Sequence, residues 1–202
     1  MDRKTVEMLT EAVLGRIFVP LEASGRHVHI TKQQALALFG HPLTEKRPLS
    51  QPGQFLSNER LTVVGPKGEL KNVAVLGPER KEGQVEISLT DGRVLGIVPP
   101  VRMSGDVAGT PGAVLVGPGG RVELAQGVIA AQRHIHLTPE EAERFGVRDR
   151  QVVKLRTLTD RPVVFENVAI RVSPKFAAAV HLDYDEANAC GFRNGDYGRI
   201  LS

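Results

Sequence analysis

Cysteine occurs once, at Cys190, and tryptophan is absent; two tyrosines and seven phenylalanines supply the remaining large aromatic rings. One cysteine excludes an intramolecular disulfide and a cysteine-based metal cluster. Cys190 follows Ala187-Asn188-Ala189 in an apolar, turn-like stretch, which reads as a packed thiol before it reads as a nucleophile. No apolar run is long enough to span a bilayer and no signal peptide is read, so no membrane partner and a cytoplasmic, reducing location are expected. No basic run occurs, and a net charge of +3 with so few aromatic rings gives no footprint for nucleic acid. That small positive balance is compatible with a phosphorylated substrate, although solvated surface charge is the plainer account.

What the chain has instead is an internal repeat carrying histidine. Arg26-His27-Val28-His29-Ile30-Thr31 returns as Arg133-His134-Ile135-His136-Leu137-Thr138, an offset of 107, and these copies hold four of the six histidines. Each His-x-His is followed by a helix-start signal, Thr31 with Gln34 and Thr138 with Glu141, where hydroxyl and amide or carboxylate cap each other's backbone N–H. Pro139 suits a first helical position. Short apolar runs then end at Gly40 and Gly146, which suit left-handed caps. A second block repeats at an offset of 95: Leu70 to Val75 resembles Phe165 to Ile170. The two offsets differ by 12, so the first half carries about that many extra residues, and the Pro-, Gly- and charge-rich segment from His41 to Gln54 is the evident place for them. The offset of 95 also aligns Glu86 with His181, Arg80 with Lys175 and Gly96 with Gly191.

Two triplets result, His27, His29, Glu86 and His134, His136, His181. Alternate residues of a strand share a face, so each His-x-His projects two imidazoles together while Val28 or Ile135 turns into a core. A third ligand from a distant strand makes a three-ligand set with one open position, the pattern of a catalytic zinc site. Imidazole and carboxylate suit zinc best, with cobalt, nickel or iron as alternatives. A lone His-x-His is more often structural; two in a repeat, each with a matched third ligand, favour metal. Glu86 is the weakest of the six, because Glu79 and Glu82 lie nearby.

The remaining chain is strand-like. Leu61–Val64, Val73–Leu76, Val85–Ser88, Ala113–Val116, Val152–Leu155 and Val163–Phe165 alternate or run apolar. Gly65-Pro66-Lys67-Gly68, Asp91-Gly92, Gly117-Pro118-Gly119-Gly120 and Asn194-Gly195-Asp196 read as turns between them. The expected fold is mainly β (α+β): two similar small β-barrels related by the repeat, with short capping helices. The expected divisions are 1–15, an N-terminal helix; 26–131, a first metal-binding barrel with an inserted loop at 41–58; and 132–202, a second metal-binding barrel. Val6, Leu9 and Val13, with Met8, Ala12 and Leu14, form a helical stripe, leaving Glu7, Glu11 and Arg16 outside. Docking of that helix on the barrel is the plainer reading, and a docking peptide for another protein or shell is the sharper one.

The segments Val19–His29, Phe55–Pro66, Val75–Glu82, Arg133–His136 and His181–Asp183 resemble the phosphate propanoyltransferases, and the resemblance covers nearly the whole chain from Val19. It implies two zinc ions per chain, with ligands mapping onto the two triplets, and it maps Arg80 onto the phosphate-binding arginine. On the residues alone Arg80 is open between that role and a surface ion pair beside Glu79 and Glu82. The implied reaction is reversible: a short-chain acyl-CoA (propanoyl-CoA or acetyl-CoA) and phosphate give acyl phosphate and CoA. Also implied are a homodimer, a strand at 16–25 that joins the C-terminal barrel, and a downstream kinase that consumes the acyl phosphate. Members of microcompartments carry an N-terminal targeting extension. Here the first motif begins about 20 residues in, which weighs against encapsulation.

The mechanism so implied is direct attack of phosphate on the thioester, since no Ser-His-Asp or Cys-His arrangement is visible. Two rivals remain at this stage: a metal-dependent hydrolase of a small ester or phosphate, and a zinc-containing scaffold protein.

Overall fold

The computed structural model describes residues 2–201, leaving aside the side chains of Glu7, Glu11 and Ala12. Met1 and those three side chains belong to the expected N-terminal helix, and Ser202 ends the expected second barrel; these lie outside the described residues. In chain order the elements are α1 (Arg3–Leu14), β1 (Val19–Ala23), β2 (His27–His29), α2 (Lys32–Phe39), β3 (Glu45–Pro48), β4 (Phe55–Val64), β5 (Glu69–Gly77), β6 (Gln84–Glu86), α3 (Leu89–Leu95), β7 (Val101–Arg102), β8 (Ala113–Gly117), β9 (Gly120–Leu124), β10 (Val128–Ala131), β11 (His134–Leu137), α4 (Pro139–Arg144), β12 (Val152–Leu158), β13 (Val164–Val172), β14 (Ala179–Leu182), α5 (Tyr184–Ala189) and β15 (Tyr197–Leu201). The architecture is mainly β with short helices, as the sequence predicts. The chain divides into two compact units, one of residues 1–24, 133–182 and 186–202, the other of residues 25–132 and 183–185.

The first unit is a closed barrel in the order β1-β14-β11-β13-β12-β15. Its strands alternate strictly where one face meets water. Along β12, Val153, Leu155 and Thr157 are buried while the residues between them are exposed. The inward set includes Val19, Leu21, Ile135, Leu137, Leu155, Ile170, Val180 and Leu182. β1 closes the barrel, parallel to β14 and antiparallel to β15.

In the second unit, nine strands form one sheet in the order β7-β10-β6-β2-β5-β4-β8-β9, with β3 on β4. This sheet ends on β7 and β9, so it stays open where the first unit closes. Its core is built on Val28, Ile30, Leu38, Val63, Val75, Val85, Leu95 and Leu115. The β8–β9 turn runs against the end of α2: the Gly119 N–H donates to the Leu38 carbonyl at 2.7 Å. A Cβ at Gly117 would stand 2.4 Å from that same oxygen, so glycine is required there.

The repeat is in register. His27 pairs with Glu86 and lies beside Ala74; His134 pairs with His181 and lies beside Ala169. Asn72 and Asn167 both adopt left-handed backbone, at φ 56° and 53°, and Gly96 and Gly191 do so at 74° and 63°. Both expected capping boxes form, Thr31 with Gln34 and Thr138 with Glu141.

Three expectations need correcting. Segment 41–58 is not simply a loop: Glu45–Pro48 is β3, paired with the start of β4, and Thr44 bonds Glu59 through both its hydroxyl (2.6 Å) and its N–H (3.1 Å). Asp91-Gly92 is not a turn. Ser88 and Asp91 form a capping box that starts α3, and the buried Asp91 carboxylate meets Arg26 at 2.9 Å. The stripe on α1 is not packed away, since Val6, Met8, Leu9 and Val13 all remain about half exposed or more.

Candidate metal centres

Every strand that carries a ligand-type residue turns its neighbours into a core, so the sheet pleat presents the polar set on the opposite face. In the second unit β2 buries Val28 in the core and offers His27 and His29; β6 lies antiparallel to it and brings Glu86 opposite His27. All three are nearly inaccessible to solvent. Glu86 Oε2 stands 3.5 Å from His27 Nε2, and Oε1 stands 3.8 Å from His29 Nε2. His27 Nδ1 donates to the Gly25 carbonyl at 2.8 Å, which leaves its Nε2 as the lone-pair nitrogen.

Glu86 is held from behind. Ser104 Oγ donates to Oε1 at 2.8 Å, and the Gln84 amide nitrogen donates to the same oxygen and to Ser104 Oγ. The Gly105 N–H fixes the other end of the Gln84 amide at 2.7 Å. Arg80 Nη1 donates to Ser104 Oγ at 3.1 Å, which ties the guanidinium to the same network.

These contacts set the charges. Burial would raise the Glu86 pKa, but His27, His29 and the Ser104 hydroxyl outweigh it and pull the carboxyl far below its usual range. Burial also pushes His29 well below the usual imidazole value, helped by His27 and by the Arg80 guanidinium. For His27 burial works the same way, yet Glu86 and the Gly25 carbonyl prevail and its pKa rises.

The first unit builds the matching set on β11 and β14. His134 and His181 stack nearly parallel, with ring centroids 5.0 Å apart and planes 8° apart, and His136 meets each of them edge-on. Phe176 covers the His136 ring at 4.1 Å. Neither ring nitrogen of the buried His136 has a hydrogen-bond partner. Burial, His134, His181 and Arg171 together push its pKa down to about 2. A buried imidazole that stays neutral with its nitrogens unsatisfied costs stability unless a ligand completes it. Glu22, on β1, places Oε2 3.9 Å from His181 Nε2.

Each triplet, His27-His29-Glu86 and His134-His136-His181, brings one donor atom per residue within 4.8 Å of the others, so each could hold a metal ion. The donors fit: imidazoles, one ionised carboxylate, and in His136 a buried ring with neither nitrogen hydrogen-bonded. Structure and sequence pattern therefore assemble the same six residues. Arg80 lies against the first triplet, half-buried. Lys175, its counterpart by offset, is exposed. Cys190 is fully buried, its Sγ directed at the Ala187 carbonyl and its pKa raised by burial, as a packed thiol requires.

Sequence reasoning missed Gln84, Ser104, Arg171 and Phe176. Gln84 was open to inference, because it lies two residues before Glu86 on the same strand face. Ser104 was not, because nothing in its spacing ties it to Glu86.

The model of the family described as phosphate propanoyltransferase matches residues 20–193. A protein of Listeria monocytogenes named phosphate propanoyltransferase is 50% identical over 198 residues, covering 97% of this chain and 93% of its own. One of the same name from Enterococcus faecalis is 53% identical over 183 residues, covering 90% and 87%. Another from Salmonella typhimurium is 48% identical over 199 residues, covering 96% and 95%.

Proposed function

The chain belongs to the phosphate propanoyltransferase family and is an acyltransferase that uses phosphate; we propose that it converts propanoyl-CoA or acetyl-CoA and phosphate, reversibly, to acyl phosphate and CoA, with one zinc ion held in each triplet. The observation that carries this reading is the doubled ligand set with Arg80 held against the first of its copies.

Zinc, when bound, supplies Lewis acidity to the thioester carbonyl and a borderline-soft partner for the departing thiolate. The protein's own groups do the rest. Arg80 clamps phosphate through its planar fork and turns one phosphate oxygen toward the carbonyl carbon. Its hydrogen bond to Ser104 and its backbone bond to the Ile30 carbonyl at 2.8 Å fix where that fork stands. The nucleophile forms a C–O bond as the C–S bond breaks, and the electron pair leaves on CoA sulfur. No side-chain base is required, because phosphate is already anionic at neutral pH. Glu86 stays ionised and His29 stays neutral, the protonation states a ligand needs. In this reading the enzyme works in the cytoplasm as a homodimer, and a kinase consumes its acyl phosphate. No described helix is long and apolar enough to cross a membrane.

The test is CoA release followed with a thiol reagent, over a series of acyl chain lengths, with and without phosphate. Release that depends on phosphate and yields acyl phosphate supports the proposal. Equal release without phosphate would make the protein a hydrolase. No release, with metal bound, would make it a scaffold.

A further inference from the structure

The second cluster is larger than its triplet. In the first unit three adjacent strands carry an in-register row: His134 on β11 faces His181 on β14, and His181 faces Glu22 on β1. In-register neighbours on adjacent strands point to the same face, about 4.8 Å apart. The flanking residues agree, because Leu21, Ile135, Val180 and Leu182 all turn into the barrel core. Glu22 therefore shares the outer face with the three histidines.

The repeat supplies the control. In the second unit the corresponding row runs His27 on β2, Glu86 on β6 and Ile129 on β10. β10 lies parallel to β6 as β1 lies parallel to β14. The offset of 107 that relates the His-x-His copies also relates Glu22 to Ile129. Ile129 is fully buried and has no donor atom. The carboxylate thus occupies the middle of one row and the end of the other. Where the second cluster exchanges Glu86 for His181, it gains Glu22 in place of Ile129, and each cluster keeps one carboxylate.

The donors that all lie within 4.8 Å of one another are those of His134, His136 and His181, and Glu22 approaches that group at His181. Donors about 2.0–2.2 Å from zinc at tetrahedral angles stand roughly 3.3–3.6 Å apart. Glu86 stands 3.5 and 3.8 Å from the imidazole nitrogens of its own cluster, and Glu22 stands 3.9 Å from His181 Nε2. That separation is too long for a hydrogen bond. Three neutral imidazoles would also leave a divalent charge uncompensated beside Arg171, and a carboxylate halves it.

We propose that Glu22 is a fourth ligand of the metal ion held by His134, His136 and His181. This rests on the reading that the clusters bind metal, and it makes them unequal: four protein donors in the second cluster, three in the first. The second ion is then the more tightly held, and it meets substrate by expanding to five donors, where the first has an open fourth position.

Zinc affinity is measured by competition with a chromophoric chelator in His27→Ala protein, where the second triplet alone is intact. Glu22→Gln and Glu22→Ala in that background should each raise the dissociation constant about ten-fold or more. Both changes in the otherwise intact chain should leave the first ion's affinity unchanged, which also reports correct folding. Cobalt substituted for zinc should show a visible d–d spectrum that changes with Glu22→Gln. Unchanged affinity and spectrum in both variants would overturn the proposal. So would weakening by Glu22→Ala with none by Glu22→Gln, which would mean packing or hydrogen bonding. His27→Ala protein that binds no zinc would instead overturn the metal reading of the second cluster itself.

Discussion

The two clusters share strand pairing, register and a His-x-His, yet they are supported in different ways. In the first, a carboxylate sits opposite His27 and is held from behind by Gln84 and Ser104, with Arg80 attached to the same hydroxyl. In the second, His181 takes that place, Phe176 covers His136, and Glu22 lies at the far side. The difference teaches that a repeat can conserve where donors stand while changing what surrounds them. One cluster is built around a hydrogen-bonded carboxylate and a guanidinium. The other is built around stacked rings.

The comparison breaks most visibly if the ligands are removed. His29→Ala and His136→Ala should each lose one of two metal ions and keep the other, as counted by elemental analysis. Each should lower phosphate-dependent CoA release by roughly a hundred-fold or more, since a Lewis acid is worth several kcal/mol. If either variant kept both ions, the residue would not be a ligand. If one variant kept full activity, the two sites would not both serve the reaction.

A smaller effect separates the halves by their cations. Arg80→Lys keeps the charge and loses the fork. It should raise the Michaelis constant for phosphate and lower turnover, with both ions retained. A lost charge-assisted bond is worth roughly 1.5–3 kcal/mol, on the order of ten- to a hundred-fold in phosphate-dependent efficiency. The exposed Lys175, changed to Ala, should alter little. Wild-type phosphate kinetics in Arg80→Ala would place the phosphate site elsewhere.

Smaller again is the support behind Glu86. Ser104→Ala removes a donor to the Glu86 carboxylate and the acceptor that anchors Arg80. Outer partners of metal ligands are typically worth ten- to a hundred-fold in affinity. The first ion should therefore loosen by about ten-fold while the second is unaffected, as read by chelator competition. Equal loosening of both would mean that the substitution acts through the fold and not through Glu86.

The sequence made the triplets legible because period-two projection and a fixed offset are properties of local chain geometry. His27, His29, His134 and His136 needed only strand alternation, and Glu86 and His181 needed only the second offset. Ser104 and Phe176 became visible only with the fold, since nothing local relates them to their partners. Two local errors have the same root. Asp91-Gly92 matches a turn by composition, but Ser88, three residues earlier, caps a helix through the same Asp91. The insert reads as a loop because it is rich in proline, glycine and charge, yet Glu45, Lys46, Arg47 and Pro48 are all exposed, and an edge strand needs no apolar face.

The smallest expected effect sharpens the repeat itself. In β5 two residues, Lys71 and Asn72, stand opposite the single Thr62 of β4; in β13 Glu166 and Asn167 stand opposite the single Lys154 of β12. Both are β-bulges, and in each the second residue takes a left-handed backbone, Asn72 at φ 56° and Asn167 at φ 53°. Asparagine tolerates that region; alanine pays for its Cβ there, and glycine does not. Asn72→Ala and Asn167→Ala should each destabilise by about 1 kcal/mol. Asn72→Gly and Asn167→Gly should stay near wild type, with metal content unchanged throughout. Denaturant unfolding followed by circular dichroism checks the set. Both asparagines are exposed, so lost core packing cannot mimic the effect. Equal costs at the two positions mean that the bulge, and not the differing surroundings of each half, requires asparagine. A cost at one position alone would break the structural equivalence at the turn of the strand that leads toward each cluster.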